Sequence, residues 1–201
     1  MDSTLPEDGG RDRALIAVFG SSTVREGEAA YRVAFDLGQA LARAGADVMT
    51  GGYGGIMEAC SRGAAEAGAH VVGVTTELFD KRGPANRWVK ERVHTPDLFE
   101  RLRHIVGRAD GFITVPGSIG TLTELYLTWT LLAVGGRPRA PLVVLGEPWP
   151  HLLEANRHPD LVLPHLFELV QVALTPAEAA SLALAGMASV PRAERPAGER
   201  S

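Results

Sequence analysis

Residues 46–57 read Ala-Asp-Val-Met-Thr-Gly-Gly-Tyr-Gly-Gly-Ile-Met, and this stretch decides the fold. Ala46–Thr50 reads as a strand. Four glycines in five positions follow: Gly51, Gly52, Gly54 and Gly55. Each costs chain entropy, so such a cluster implies close backbone approach or positive φ. Ile56 to Glu66 then carries a helical pattern, closed by Gly68. The unit is strand, glycine turn, helix.

The same unit recurs on both sides. Leu15–Phe19 is an unbroken apolar run ending in Gly20, and a helical face follows from Glu26 to Ala44, closed by Gly45. Ala69–Thr75 reads as a third strand. Thr76–Thr95 reads as an irregular, polar stretch. Pro96-Asp97 opens a helix through Arg108, and Gly111–Val115 is a strand ending in Pro116-Gly117. A long helix spans Thr121–Val134 and a strand spans Leu142–Leu145. A short helix near Trp149–Ala155, a late strand near Leu169–Leu174 and a helix from Pro176 to Met187 complete the pattern. Apolar strands alternating with helices indicate a parallel sheet covered on both faces. The fold class is α/β: a Rossmann-like doubly wound parallel sheet with helices on both faces. Strand order is not readable from the alternation. The expected organisation is a tail over 1–13, one domain over 14–188 and a tail over 189–201, both tails rich in Pro, Gly, Arg, Glu and Ser.

Composition excludes several classes. The formal net charge is −4, which gives no basic footprint for nucleic acid. The longest apolar runs are too short to cross a membrane, and the polar start has no signal-peptide character. Cys60 is the single cysteine, so an internal disulfide is excluded and a cytoplasmic address is expected. The six histidines lie far apart and form no His-Glu-x-x-His motif, so no metal and no cofactor are expected.

In open parallel sheets ligands bind beyond the carboxyl ends of the strands. Three such ends stand out. Gly20-Ser21-Ser22-Thr23 offers hydroxyl donors, or simply caps a helix. Gly51–Gly55 precedes a helix and reads as an anion cradle, or as a loose turn. Pro116-Gly117-Ser118-Ile119-Gly120-Thr121-Leu122-Thr123-Glu124 places free N–H groups and a helix N-terminus together, which favours a phosphate. Ser118 and Thr121 add hydroxyls. Glu124 sits about one turn into that helix. None of the three loops is a Walker A sequence, and none is a clean Gly-x-Gly-x-x-Gly after the first strand, which disfavours a dinucleotide.

Together, in this order, these loops resemble the Lonely Guy (LOG) family, often labelled lysine decarboxylase-like. The family pattern Pro-Gly-Gly-x-Gly-Thr-x-x-Glu lies at Pro116–Glu124, with Ser118 in place of the second loop glycine. The family's Met-His-x-Arg-Lys helix lies at Leu98–Leu102. Arg101 takes the Arg position, while Leu98, Phe99 and Leu102 replace Met, His and Lys. The resemblance spans roughly residues 14–187. A decarboxylase built on pyridoxal wants a Schiff-base lysine, and only Lys81 and Lys90 exist, both in the irregular stretch.

The resemblance implies hydrolysis of the N-glycosidic bond of a nucleoside 5′-monophosphate, AMP or a cytokinin riboside monophosphate, to free base and ribose 5-phosphate. It assigns catalysis to Arg101 and Glu124. Substrate and phosphate binding would fall to Gly20, Ser21, Gly51, Gly52, Gly54, Gly55, Gly117, Ser118, Gly120 and Thr121. It also implies a homodimer; the 121–134 helix, apolar on most sides, suits the interface. The competing reading is a non-catalytic nucleotide or molybdenum-cofactor-type carrier. Arg82, Arg87, Lys90 and Arg92 either flank the cleft or form a solvated loop.

Overall fold

The computed structural model describes residues 13–188, except 159 and 161. The expected tails lie outside the described residues, apart from Arg13. That residue is docked: its Nε donates to the Gly45 carbonyl at 3.1 Å, and its Nη2 donates to the carbonyls of Ala42 and Ala46 at 3.0 Å.

Among the described residues seven strands form one sheet: β1 (Ala14–Phe19), β2 (Ala46–Thr50), β3 (Val71–Thr76), β4 (Glu91–Thr95), β5 (Gly111–Thr114), β6 (Leu142–Leu145) and β7 (Val170–Ala173). Every pairing is parallel, and the order is β4-β3-β2-β1-β5-β6-β7. The chain builds outward from β1 to β4, then crosses back to lay β5 on the other side of β1. That reversal between β1 and β5 is where a doubly wound sheet opens its ligand crevice.

Helices α1 (Ala29–Arg43), α2 (Ile56–Glu66) and α6 (Pro176–Ala188) cover one face. Helices α3 (Leu98–Arg108), α4 (Ile119–Ala133) and α5 (Trp149–Ala155) cover the other. Alternation along each strand feeds both cores: Ile16 and Val18 face α1 and α2, while Leu15, Ala17 and Phe19 face α3 and α4.

The irregular reading of 76–95 needs correction. It holds a 3₁₀ turn over Glu77–Arg82 and the edge strand β4. Within β4 only Val93 is an apolar side chain: one edge meets solvent, Arg92 and His94 are exposed, and of the three residues turned toward the protein Glu91 and Thr95 are polar.

Helices α1 and α2 touch backbone to backbone. A Cβ on Gly38 would overlap the Cys60 carbonyl oxygen, and a Cβ on Gly63 would overlap the Phe35 carbonyl oxygen. The obstacle is backbone in both cases, so only separation of the helices would relieve it. Gly38→Ala is expected to cost about 3 kcal/mol of stability, read as a lower urea midpoint with an unchanged m-value.

The long helix α4 is apolar on most sides, as the sequence indicates, but part of its surface is covered from within the chain. A 3₁₀ turn over Pro164–Leu169 lies against it, with Trp129 Nε1 donating to the Leu166 carbonyl at 2.8 Å. Tyr126, Leu127 and Leu131 remain half-buried.

Candidate functional site

Arg101 comes from α3. Asp97 caps that helix, its side chain accepting the Glu100 N–H at 2.8 Å. The inward face carries Arg101, Leu102, Ile105 and Val106, so Arg101 occupies a core-facing position and is only 6% exposed. At the other end of α3, Arg137 donates to the Val106 and Ala109 carbonyls at 2.7 and 3.1 Å, where a cation suits the helix terminus.

Glu124 comes from the second turn of α4, on the buried stripe with Thr121, Leu125 and Thr128. It is 9% exposed. Arg101 Nη1 meets Glu124 Oε1 at 3.4 Å, and Arg101 Nε donates to the Val74 carbonyl at 2.8 Å. The guanidinium is thus anchored on β3 and reaches across the switch point to α4. Burial pushes the Glu124 carboxyl up to about 7, against the downward pull of Arg101. A carboxyl that titrates near neutrality can hold or release a proton at working pH.

The structure brings Arg101 and Glu124 together and sorts the remaining sequence candidates by depth. Gly117, Ser118 and Gly120 are exposed at the α4 N-terminus, and Gly20 and Ser21 are half-exposed across the crevice. Ser21 N–H approaches the Pro116 carbonyl at 3.4 Å and ties the two loops. Thr121 is buried, its hydroxyl filling the space beside Gly117. The first N–H groups of α4 have no partner within their helix, and the Ser118 side chain does not cap them.

Gly54 reaches the surface, while Gly51, Gly52 and Gly55 are buried. The first N–H of α2, on Ile56, donates to the Ser21 carbonyl at 2.8 Å. The buried glycines make room for protein. A Cβ on Gly51 would overlap Arg101 Nη2, one on Gly55 (φ +71°) would overlap the Ser21 carbonyl, and one on Gly52 would press on Thr75.

Three neighbours were not among the site residues named from the sequence. Met57 places its sulfur beside Gly51. The Tyr53 hydroxyl donates to the Thr76 carbonyl at 3.1 Å and accepts the Thr76 N–H at 3.0 Å. Asn86 bonds the turn from outside. Asp47 and Asp110 lie at strand entries, accepting the His70 and Leu15 N–H groups, away from the crevice. Among the described residues no group of His, Cys, Asp and Glu is placed to hold a metal. No helix among the described residues is long and apolar enough to cross a membrane.

The model of the SLOG cluster4 family matches residues 13–138, which takes in both members of the ion pair and all three loops. The chain belongs to the SLOG cluster4 family. This agrees with the LOG resemblance. A Mycobacterium marinum protein named cytokinin riboside 5′-monophosphate phosphoribohydrolase is 36% identical over 104 residues, covering 52% of this chain and 54% of the relative. A Mycobacterium tuberculosis protein of the same name is 32% identical over 120 residues, covering 59% and 63%. The chain therefore spans less than two thirds of the length of these two relatives. Among solved structures, the molybdenum cofactor carrier protein of Chlamydomonas reinhardtii superposes with a TM-score of 0.67 at 22% identity, covering 88% of this chain and 99% of that one. That likeness establishes the shared Rossmann-like fold of this SLOG cluster4 member.

Proposed function

We propose that this chain hydrolyses the N-glycosidic bond of a nucleoside 5′-monophosphate in the cytoplasm, releasing free base and ribose 5-phosphate. The observation that carries the reading is the buried Arg101–Glu124 pair, set at the switch point beside an open helix N-terminus. The names of the mycobacterial relatives agree with it.

The phosphate sits at the α4 N-terminus, against backbone N–H groups and the Ser118 hydroxyl. The C1′–N bond breaks as the base leaves, and the ribosyl carbon gains oxocarbenium character. Glu124 in its ionised form stabilises that charge and orients a water. The water oxygen bonds to C1′ and one proton passes to the departing base nitrogen. Arg101 holds the carboxylate through its anchored guanidinium. A homodimer through α4 would cover the half-buried Tyr126, Leu127 and Leu131.

The test is chromatography of free base and ribose 5-phosphate after incubation with a panel of nucleoside monophosphates, beside Glu124→Ala. Release that disappears in the variant is expected. Thermal shifts without release from any nucleotide would overturn the hydrolase reading in favour of a carrier.

A further inference from the structure

Residues 83–90, between the 3₁₀ turn and β4, form a strap against the glycine turn. Asn86 is its central contact. The Asn86 N–H donates to the Gly52 carbonyl at 2.8 Å, and its Nδ2 donates to the Tyr53 carbonyl at 2.9 Å. Its Oδ1 accepts the Trp88 N–H at 3.2 Å, and its own carbonyl accepts the Val89 N–H at 3.2 Å. One residue therefore serves two successive turn carbonyls and folds the strap back on itself. Gly52 and Tyr53 are buried, so water is a poor substitute for these donors.

The strap is held at its far end as well. Lys90 N–H donates to the Val71 carbonyl at 2.9 Å. The Trp88 ring lies near the Arg62 guanidinium of α2 at 5.7 Å and the Arg87 guanidinium at 4.7 Å. Val89 packs on Gly73, where a Cβ would approach its Cγ2 to 2.7 Å. A fixed strap can hold a glycine-rich turn that has little stiffness of its own. Gly51, one residue before the first carbonyl held, lies directly against Arg101 Nη2.

We propose that Asn86 is a positioning residue: by holding the Gly52 and Tyr53 carbonyls it fixes the Gly51–Gly55 turn, and through Gly51 it sets the room in which the Arg101 guanidinium meets Glu124. Its kinetic consequence rests on the hydrolase reading, whereas its effect on the turn does not.

The experiment is amide hydrogen exchange on the full chain for wild type, Asn86→Ala, Asn86→Asp and the exposed control Lys81→Ala, followed by kcat and KM on the nucleotide that wild type cleaves. Asn86→Asp keeps the acceptor for Trp88 and loses the donor to Tyr53, so it guards against a poorly folding alanine variant. Exchange over 51–55 is expected to accelerate about tenfold in both Asn86 variants and not in the control. kcat is expected to fall about tenfold while KM changes less than about twofold. Unchanged exchange over 51–55, or acceleration spread evenly over the chain, would overturn the proposal. Loosening of the turn with unchanged kcat would overturn its reach to Arg101. A wild type that cleaves no nucleotide would sink the hydrolase reading, while the exchange data would still decide the role of Asn86 in the turn.

Discussion

Replacing Glu124 with glutamine is expected to lower base release by about 1,000-fold and to flatten the dependence of stability on pH. Burial raises the Glu124 carboxyl to about 7, with Arg101 opposing. In the unfolded chain a glutamate titrates near ~4.3. Below that pH both states hold the proton, and the group does not affect stability. Between the two values the unfolded chain releases its proton while the folded chain keeps it, so stability falls as pH rises. Above about 7 both states are ionised and the loss is complete. At 1.36 kcal/mol per unit the total is on the order of 4 kcal/mol, about 3 of it between pH 4.5 and 8. Glutamine keeps an oxygen for Arg101 and does not titrate.

The Tm of wild type relative to Glu124→Gln should therefore drop by about 6–12 °C between pH 4.5 and 8. Parallel curves would show that Glu124 is not held neutral by burial. Activity has the opposite slope. On the proposed mechanism the ionised carboxylate is the working form, so wild-type kcat/KM should fall about tenfold per pH unit below the Glu124 pKa and level off above it.

Several of these features were legible in the sequence, and particular residues show why. The strand–glycine–helix alternation is local, so β1, β2, β3, β5 and β6, and β7 near its place, could be read from the pattern of residues. The sheet order depends on where α3 returns the chain, which no local pattern records. β4 escaped notice because an edge strand with one wet side needs only Val93 as an apolar side chain. Arg101 and Glu124 were reached as a catalytic pair through the family motif alone; the structure adds that each is a charge on the buried stripe of its helix, where an unpaired charge would be costly. Their meeting at 3.4 Å joins residues from two helices across the switch point, and helical periodicity cannot show that. Asn86 left no trace, since a strap has no period and its partners are backbone carbonyls.

The glycine turn was readable as a place of close approach but not as to what approaches. Gly51 illustrates this, and it gives the second large effect. A Cβ there would overlap Arg101 Nη2 and lie 2.6 Å from Met57 Sδ. The guanidinium cannot simply swing away, because its Nε is held by the Val74 carbonyl at 2.8 Å and the side chain is buried. In Gly51→Ala it must therefore move against that anchor, and the contact it gives up is the longer one to Glu124. A displacement on the order of 1 Å at a reacting group costs about 100-fold in rate, so kcat should fall by that factor. Glu124 would also lose the charge that opposes its burial, so the acid limb of kcat/KM should move to higher pH. A merely destabilising substitution would lower Tm and leave that limb in place. If Gly51→Ala keeps both the wild-type kcat and the wild-type pH limb, the turn does not set the position of Arg101, and the buried glycines need another explanation.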